Sequence, residues 1–349
     1  MSARLHVDLD ALVANIAHVR ATVSPAELML VVKDDAYGHG LGPVVRAAVA
    51  AGVNWFGAFD VRTGCAVREA VDDDARIFAW IAASRGDLDA AVAARIDLGI
   101  GDADLLEELA EAARDAHASM RVHLKIDTGL HRNGVRPEQW PGFVARAAAL
   151  QTEGVIEVAG VWSHIAEASD AEDDEARSVY EWALRQATAA GLRPAMRHLA
   201  ASAASFARPE FRYDMVRVGA FCYGIRSAGG PSADHLGLRP IGRLDADVVE
   251  VAEEFARIGL GALDGLPSSL ERRAMVGTPA GSRSLVAIGA TESLVAAWPG
   301  AVVGDVVTVY GPGVAGESTA TDLAEIIGTI GEEVALRVSP LVPRRYTRR

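Results

Sequence analysis

Lys33 closes the apolar run LMLVVK and is followed at once by DDAYGHG. A lysine at the mouth of an apolar strand is partly desolvated, which favours its neutral amine and suits it to Schiff-base chemistry with a carbonyl. On this residue alone a snorkelling edge lysine fits equally well. Tyr37, Gly38, His39 and Gly40 form a turn that offers a phenol and exposed backbone groups to a phosphate or a polar ring. In VHLKIDTGLHRNGV, Lys125 stands two residues before Asp127 and seven before Arg132. Strand alternation puts Lys125 and Asp127 on one face, so a charged pair is expected to point inward, for chemistry or simply because buried charges need partners. VWSHIAE presents His164 to stack or hydrogen-bond, and RHLAASAASF leads through Ser202 into a helix start suited to phosphate. DMVRVGAFCYGI places Arg217 inward and allows close backbone approach at Gly219. A nucleophilic lysine, a phosphate cradle and surroundings for a planar ring together imply pyridoxal 5'-phosphate (PLP).

The elements that must position these groups are short apolar or β-branched runs alternating with Ala-rich amphipathic segments. Eight strands are expected, at 28–33, 54–59, 75–81, 96–100, 120–126, 155–164, 196–200 and 215–218. Eight βα units of this length predict an α/β fold with a (β/α)8 TIM-type barrel, an open doubly wound sheet being the alternative. In such a barrel the reactive groups stand at the C-terminal ends of the strands, where the residues above fall. Past LGLRP (236–240) the text turns β-rich, with one helix expected near Thr321–Ile327. The expected domains are a PLP-binding barrel over 9–235 and a mainly β C-terminal domain over 236–349, joined by residues 1–8. The acidic clusters Asp72-Asp73-Asp74 and Glu172-Asp173-Asp174-Glu175 read as solvated loops or a helix start.

Composition narrows the function. Of the 349 residues, 50% are hydrophobic and 23% charged, enough for buried cores without global disorder. The formal charge of -13 argues against nucleic acid or an anionic membrane as partner and points to small molecules. Two cysteines exclude a disulfide scaffold, and no His or Cys follows His235, so no metal site is expected in the second domain. MSARLHVDLD lacks the features of a secretory signal, and no apolar run reaches the length of a membrane span, so a cytoplasmic protein is expected. Tyrosine occurs six times, with none between Tyr223 and Tyr310.

VVKDDAYGHG closely resembles the PLP-lysine motif of the alanine racemase family, and HLKIDTGLHRNGV, WSHIAEASD, RHLAASAASF and DMVRVGAFCYGI resemble its later motifs in order. The resemblance implies that Lys33 forms the internal aldimine and acts as one base. Tyr37, Ser202 and the backbone around Gly219 would hold the phosphate, His164 would pack on the pyridine ring, and Arg132 would reach its phenolic oxygen. Lys125 matches a lysine that is often carbamylated in the family, and Arg217 matches the arginine that meets the pyridine nitrogen. Since guanidinium keeps its proton, that nitrogen stays unprotonated and the electron sink is weakened. The resemblance also implies a head-to-tail homodimer in which each β domain completes the other barrel's site.

Several positions depart from the family pattern. The family's second base, a tyrosine in a Gly-Tyr-Ala-Asp-Gly-like motif, falls on Ala262 of IGLGALDGLP, and its Met-Asp pair falls on Thr291 and Glu292. Its late phosphate-binding tyrosine falls on Glu332, and Ala201 replaces an asparagine before Ser202. The leading reading is therefore a PLP-dependent amino-acid racemase or epimerase acting on a small amino acid, with Lys33 as one base. Glu292 is the replacement taken forward for the opposite face, with Asp264, Tyr310 and a water as alternatives. A different PLP reaction (transamination, retro-aldol cleavage or elimination) and a PLP-binding protein with little catalysis are the competing readings.

Overall fold

Strand β1 (Ala3–Asp8) joins a sheet formed with C-terminal strands, whereas the next eight close on themselves. These are β2 (Glu27–Val31), β3 (Trp55–Asp60), β4 (Arg76–Ile81), β5 (Asp97–Ile100), β6 (Met120–Lys125), β7 (Ile156–Trp162), β8 (Met196–His198) and β9 (Met215–Val218). The structure, a computed structural model, describes residues 2–71 and 74–348. Neighbouring barrel strands pair in parallel in chain order, and β9 closes on β2 with Met29 opposite Arg217. All eight expected strands are present, several ending earlier than their apolar runs. Lys33 and His164 thus stand just past the ladder, where polar side chains can leave the pleat.

The barrel is filled by alternate residues of its strands. Met29, Trp55, Phe78, Trp162 and Met215 form the apolar cluster, with Trp80 and Met196 against it. The inner faces of β5, β6, β8 and β9 also carry Asp97, His123, Lys125, His198 and Arg217, all buried. One irregularity makes room for them. Val122 pairs with Val158 but His123 pairs with Gly160, so β7 carries one extra residue at that point. A side chain on Gly160 would put its Cβ 2.3 Å from His123 Nδ1, so the glycine is the space the imidazole occupies.

Two compact units emerge. Residues 20–33 and 52–219 form one, which holds the barrel; residues 1–19, 34–51 and 220–349 form the other. In the second, β1 and the strands β10 (Gly242–Val251), β11 (Phe255–Ile258), β12 (Met275–Thr278), β13 (Gly281–Ile288), β14 (Ser293–Ala296), β15 (Val306–Tyr310) and β16 (Arg344–Thr347) form a sheet ordered β11-β14-β13-β12-β15-β10-β1-β16. The helix expected near Thr321–Ile327 spans Ala320–Ile327, opened by a Thr319/Asp322 capping box and closed by Gly328 at φ 74°. Glu172–Glu175 lie in the helix Asp170–Ala189, whose N-cap is Ser169, as the helix dipole favours. Of the other acidic cluster, Asp72 and Asp73 fall outside the described residues.

Gly160→Ala is expected to destabilise the barrel by about 1–3 kcal/mol, because the buried His123 ring has no room to yield. Thermal denaturation read by circular dichroism checks it; an unchanged Tm would show that β7 can shift at the bulge.

Candidate active site

Past β2, the Val32 N–H donates to the Gly57 carbonyl at 2.9 Å, and the half-buried Lys33 follows. Lys125 ends β6 with its Nζ 4.4 Å from the Trp162 ring centroid, and no carboxylate lies at ion-pair distance from it among the described residues. Burial, then Arg217 and Arg132, lower its pKa to about 8, Asp127 offsetting part of this. The inward Lys125–Asp127 pair expected from alternation is not formed. The strand stops at Lys125, and Asp127 turns to its own loop. There it accepts from the N–H groups of Gly129 (3.0 Å) and His131 (3.1 Å), faces His131 Nδ1 at 2.9 Å and pairs with Arg136 at 3.1 Å. Although burial pushes the carboxyl up, the His131 and backbone hydrogen bonds win and hold it below the usual range. Arg132 is exposed on that loop.

Arg217 is the buried centre of the group. Its guanidinium donates to the carbonyls of Ser163 (2.8 Å) and Leu199 (3.0 Å) and to the Nδ1 atoms of His198 (3.1 Å) and His164 (3.3 Å). Among the described residues no carboxylate lies at ion-pair distance from it, and it sits 5.1 Å from the Trp162 ring centroid. Burial lowers its pKa to about 10, Tyr180 and Glu167 working against Arg132 in the smaller balance. Around His164 the cations converge: burial, then Arg217, Arg132, Lys125 and Lys33, drive its pKa to about 3. The imidazole is therefore neutral, and accepting at Nδ1 from Arg217 leaves its proton on Nε2.

Ser202 opens the helix Ser202–Ala207, whose N-cap Ala201 makes no side-chain cap bond, and Gly219 is buried directly after β9. The sequence reading did not single out Glu167. Held at φ 53°, it places Oε1 3.0 Å from the Ala204 N–H in the first turn of that helix. Its signal was a carboxylate within WSHIAEASD, three residues after His164.

The second unit holds the remaining candidates. Asp34, Asp35, Ala36 and Tyr37 run at φ 53° to 56°, a left-handed turn that costs about 1–2 kcal/mol per residue. It is tied by Gly38 N–H to Asp34 O and Gly40 N–H to Asp35 O, both 2.9 Å, and by Leu41 N–H to the Asp35 carboxylate at 2.8 Å. The turn is tight, as expected, but its phenol is not offered outward. Tyr37 and His39 are buried, because their rings pack on Tyr223 at 4.7 and 5.4 Å. Burial, then the Glu332 and Asp34 carboxylates, push the Tyr37 phenol well above its usual pKa.

Ala262 is exposed in the short helical turn Ala262–Asp264, whose Asp264 carboxylate accepts from the Gly261 N–H at 2.9 Å. Ala262 and Leu263 donate to the carbonyls of Gly289 (2.9 Å) and Ala290 (2.8 Å), so this loop is zipped to the turn that carries Thr291 and Glu292. Glu292 is exposed, 3.6 Å from Arg257. Tyr310 is buried, and burial raises its pKa. Asp264 is committed to its turn.

An eight-stranded parallel barrel with a lysine past its first strand, and cations gathered round a neutral histidine, defines a class of lysine-bearing (β/α)8 enzymes. The profile of the family described as alanine racemase, N-terminal domain, matches residues 7–227. The chain is 37% identical to the alanine racemase of Beutenbergia cavernae over 98% of its own length and 97% of the relative's. Among solved structures it resembles the alanine racemase of Streptomyces coelicolor A3(2), with TM-score 0.95, 33% identity and coverage of 100% of this chain and 98% of that one. It also resembles the enzyme of D-cycloserine-producing Streptomyces lavendulae, with TM-score 0.94, 31% identity and coverage of 100% and 97%. The chain belongs to the alanine racemase family.

Three histidines with depressed pKa values make stability acid-sensitive. Burial holds His39 at about 4, His164 at about 3 and His198 well below 6.5, so from pH 6.5 downwards the unfolded chain binds protons that the native chain refuses. Stability is then lost as pH falls below 6.5, by about 1.4 kcal/mol per pH unit for each such group. Urea titrations across this window check it; a midpoint flat from pH 6.5 to 4 would show that these imidazoles protonate in place.

Proposed function

We propose that the protein is a PLP-dependent amino-acid racemase acting on a small amino acid, with Lys33 as the cofactor-bearing residue and one of its two bases. The observation that carries this reading is the convergence of Lys33, Lys125, Arg132 and Arg217 on a neutral His164 in a barrel of the alanine racemase family. The donor set fits the cofactor: an amine for its aldehyde, a buried guanidinium without a carboxylate for its ring nitrogen, and a cationic field for its phosphate and phenolate. When bound, PLP supplies the electron-withdrawing system that stabilises charge at the substrate's α-carbon. Arg217, donating and never accepting, would keep the ring nitrogen unprotonated and limit that delocalisation. Uncharged His164 would pack on the ring, and Arg132 would meet the phenolic oxygen. Ser202, the backbone at Gly219 and Tyr37 are the phosphate ligands of this reading. The lowered pKa of Lys125, about 8, supports carbamylation there, since its amine must be neutral to add carbon dioxide.

Lys33 Nζ would take and return the α-proton on one face. For the other face Ala262 offers only a methyl group, and we assign the proton to the Glu292 carboxyl of a partner subunit in a head-to-tail homodimer. The pairing of loop 261–265 with the turn 289–292 supports this, because it keeps Glu292 next to the vacated tyrosine position. Among the described residues no helix is long and apolar enough to cross a membrane, and a cytoplasmic location is proposed.

Incubation of the purified protein with single L- and D-amino acids in D2O should place α-deuterium in both enantiomers of the substrate. Deuterium confined to the starting enantiomer would overturn racemisation. Lys33→Ala should abolish the visible absorbance of bound cofactor. Glu292→Gln should lower kcat, and Ala262→Tyr raise it, each by on the order of 10²-fold, as for loss or gain of a general acid/base. A monomer by sedimentation under assay conditions would remove Glu292 from the reaction.

A further inference from the structure

Three buried polar groups in the barrel, Asp97, His123 and His198, have no place in the scheme above except through Arg217. Asp97, the first residue of β5, lies at the N-terminal end of the barrel, where its Oδ2 is 3.2 Å from Arg121 Nε and 3.4 Å from His123 Nε2. His123 Nδ1 is 2.8 Å from His198 Nε2, and His198 Nδ1 is 3.1 Å from Arg217 Nη1. Both imidazoles have no exposed surface. Phe78 packs on both rings, and Trp162 lies parallel to His198 at 5.8 Å.

The direction of every link follows from its two ends. A guanidinium only donates, so His198 Nδ1 must accept, and the proton of that ring sits on Nε2. His198 Nε2–H then donates to His123 Nδ1, which puts the His123 proton on Nε2, aimed at an Asp97 carboxylate that only accepts. Neither ring can take a second proton without breaking a link. Burial first, then the neighbouring His123 and Arg217, keep His198 far below its usual pKa. Although burial opposes it, the His123 and Arg121 contacts hold Asp97 below its usual value, so the terminus is anionic.

We infer that Asp97, His123 and His198 form a one-way hydrogen-bond chain that makes Asp97 the remote counter-ion of Arg217, and that all three are positioning residues for its guanidinium. The inference rests on the reading that Arg217 meets the cofactor's ring nitrogen. The charged and titratable groups facing the chain are Arg121, itself paired with Glu157, at one end, and Lys125, Arg132, His164, Glu167 and Tyr180 around Arg217 at the other. Polarisation passed along linked hydrogen bonds lets a carboxylate at the barrel floor support a cation at its mouth without placing an anion beside the cofactor.

The test uses the holoenzyme. Long-range 15N–1H spectra should show His123 and His198 as Nε2–H tautomers, with His198 not titrating between about pH 5 and about pH 9, a range spanning the ordinary histidine pKa. Asp97→Asn keeps an acceptor oxygen and removes the charge. It should shift the 15N resonance of the cofactor's ring nitrogen and lower kcat on the order of tenfold with KM unchanged, the rate equivalent of one charge-assisted hydrogen bond. Arg121→Lys, which keeps a cation beside Asp97 and touches no link of the chain, should leave both readouts as they were. An Nδ1–H tautomer or a titrating His198 would overturn the chain, even should Asp97→Asn fail to fold. A folded, cofactor-loaded Asp97→Asn protein with unchanged resonance and kcat would overturn the counter-ion role. If Arg217→Lys also leaves the resonance unmoved, it is the Arg217 contact, and not the chain, that fails.

Discussion

A guanidinium buried in the barrel without a carboxylate beside it is the constraint on which the rest of this barrel turns. A buried charge must be compensated, and Arg217 achieves this with two carbonyls and two imidazoles, all neutral. Those partners come from the ends of β7 and β8 and the residues just after them, so the charge fixes how three successive strands finish. The extra residue in β7 and the bare Gly160 follow from the same demand, since His123 must lie flat enough to reach His198. A carboxylate next to Arg217 would satisfy it more cheaply in electrostatic terms. It would also cancel the positive field that the site directs at an anionic ring cofactor.

That field is nearly undiluted in the barrel. Lys33, Lys125, Arg132 and Arg217 all act on His164, while Asp127, the nearest carboxylate in sequence, spends its oxygens on its own loop. Two anions run against the pattern. Glu167 covers the Ala204 amide in the first turn of the Ser202 helix, and Glu332 acts on Tyr37. On the proposed reading, each carboxylate would oppose a phosphate bound beside it, as a neutral residue there would not.

Much of this was legible in the chain because its cause is local. Eight β-rich runs separated by amphipathic helices read as a barrel, and each apolar run announces the polar residue that ends it, as LMLVVK does for Lys33. Alternation failed for Lys125 and Asp127 because it holds only while the strand continues, and β6 ends at Lys125. The turn after Lys33 was read as offering its phenol because nothing in AYGHG reveals Tyr223, nearly two hundred residues away in sequence, on which Tyr37 and His39 pack. His123 and His198 lay inside motifs already quoted, yet their partnership depends on a strand register that spacing alone does not disclose.

On the proposed reading, the missing tyrosine changes where the second proton is kept. A tyrosine at position 262 would hold it on a phenol at the tip of its loop, whereas here the loop ends in Ala262 and the exposed Leu263. The only ionisable side chain on the turn bonded to that loop is Glu292. A carboxyl is a far stronger acid than a phenol, so the exchange of one for the other favours a base over an acid at neutral pH. Arg257 lies 3.6 Å from the Glu292 carboxylate. Proton removal on that face would then be easier than proton return, the reverse of the balance a phenol sets. On that proposed reading, the two directions of the reaction should be limited by different steps.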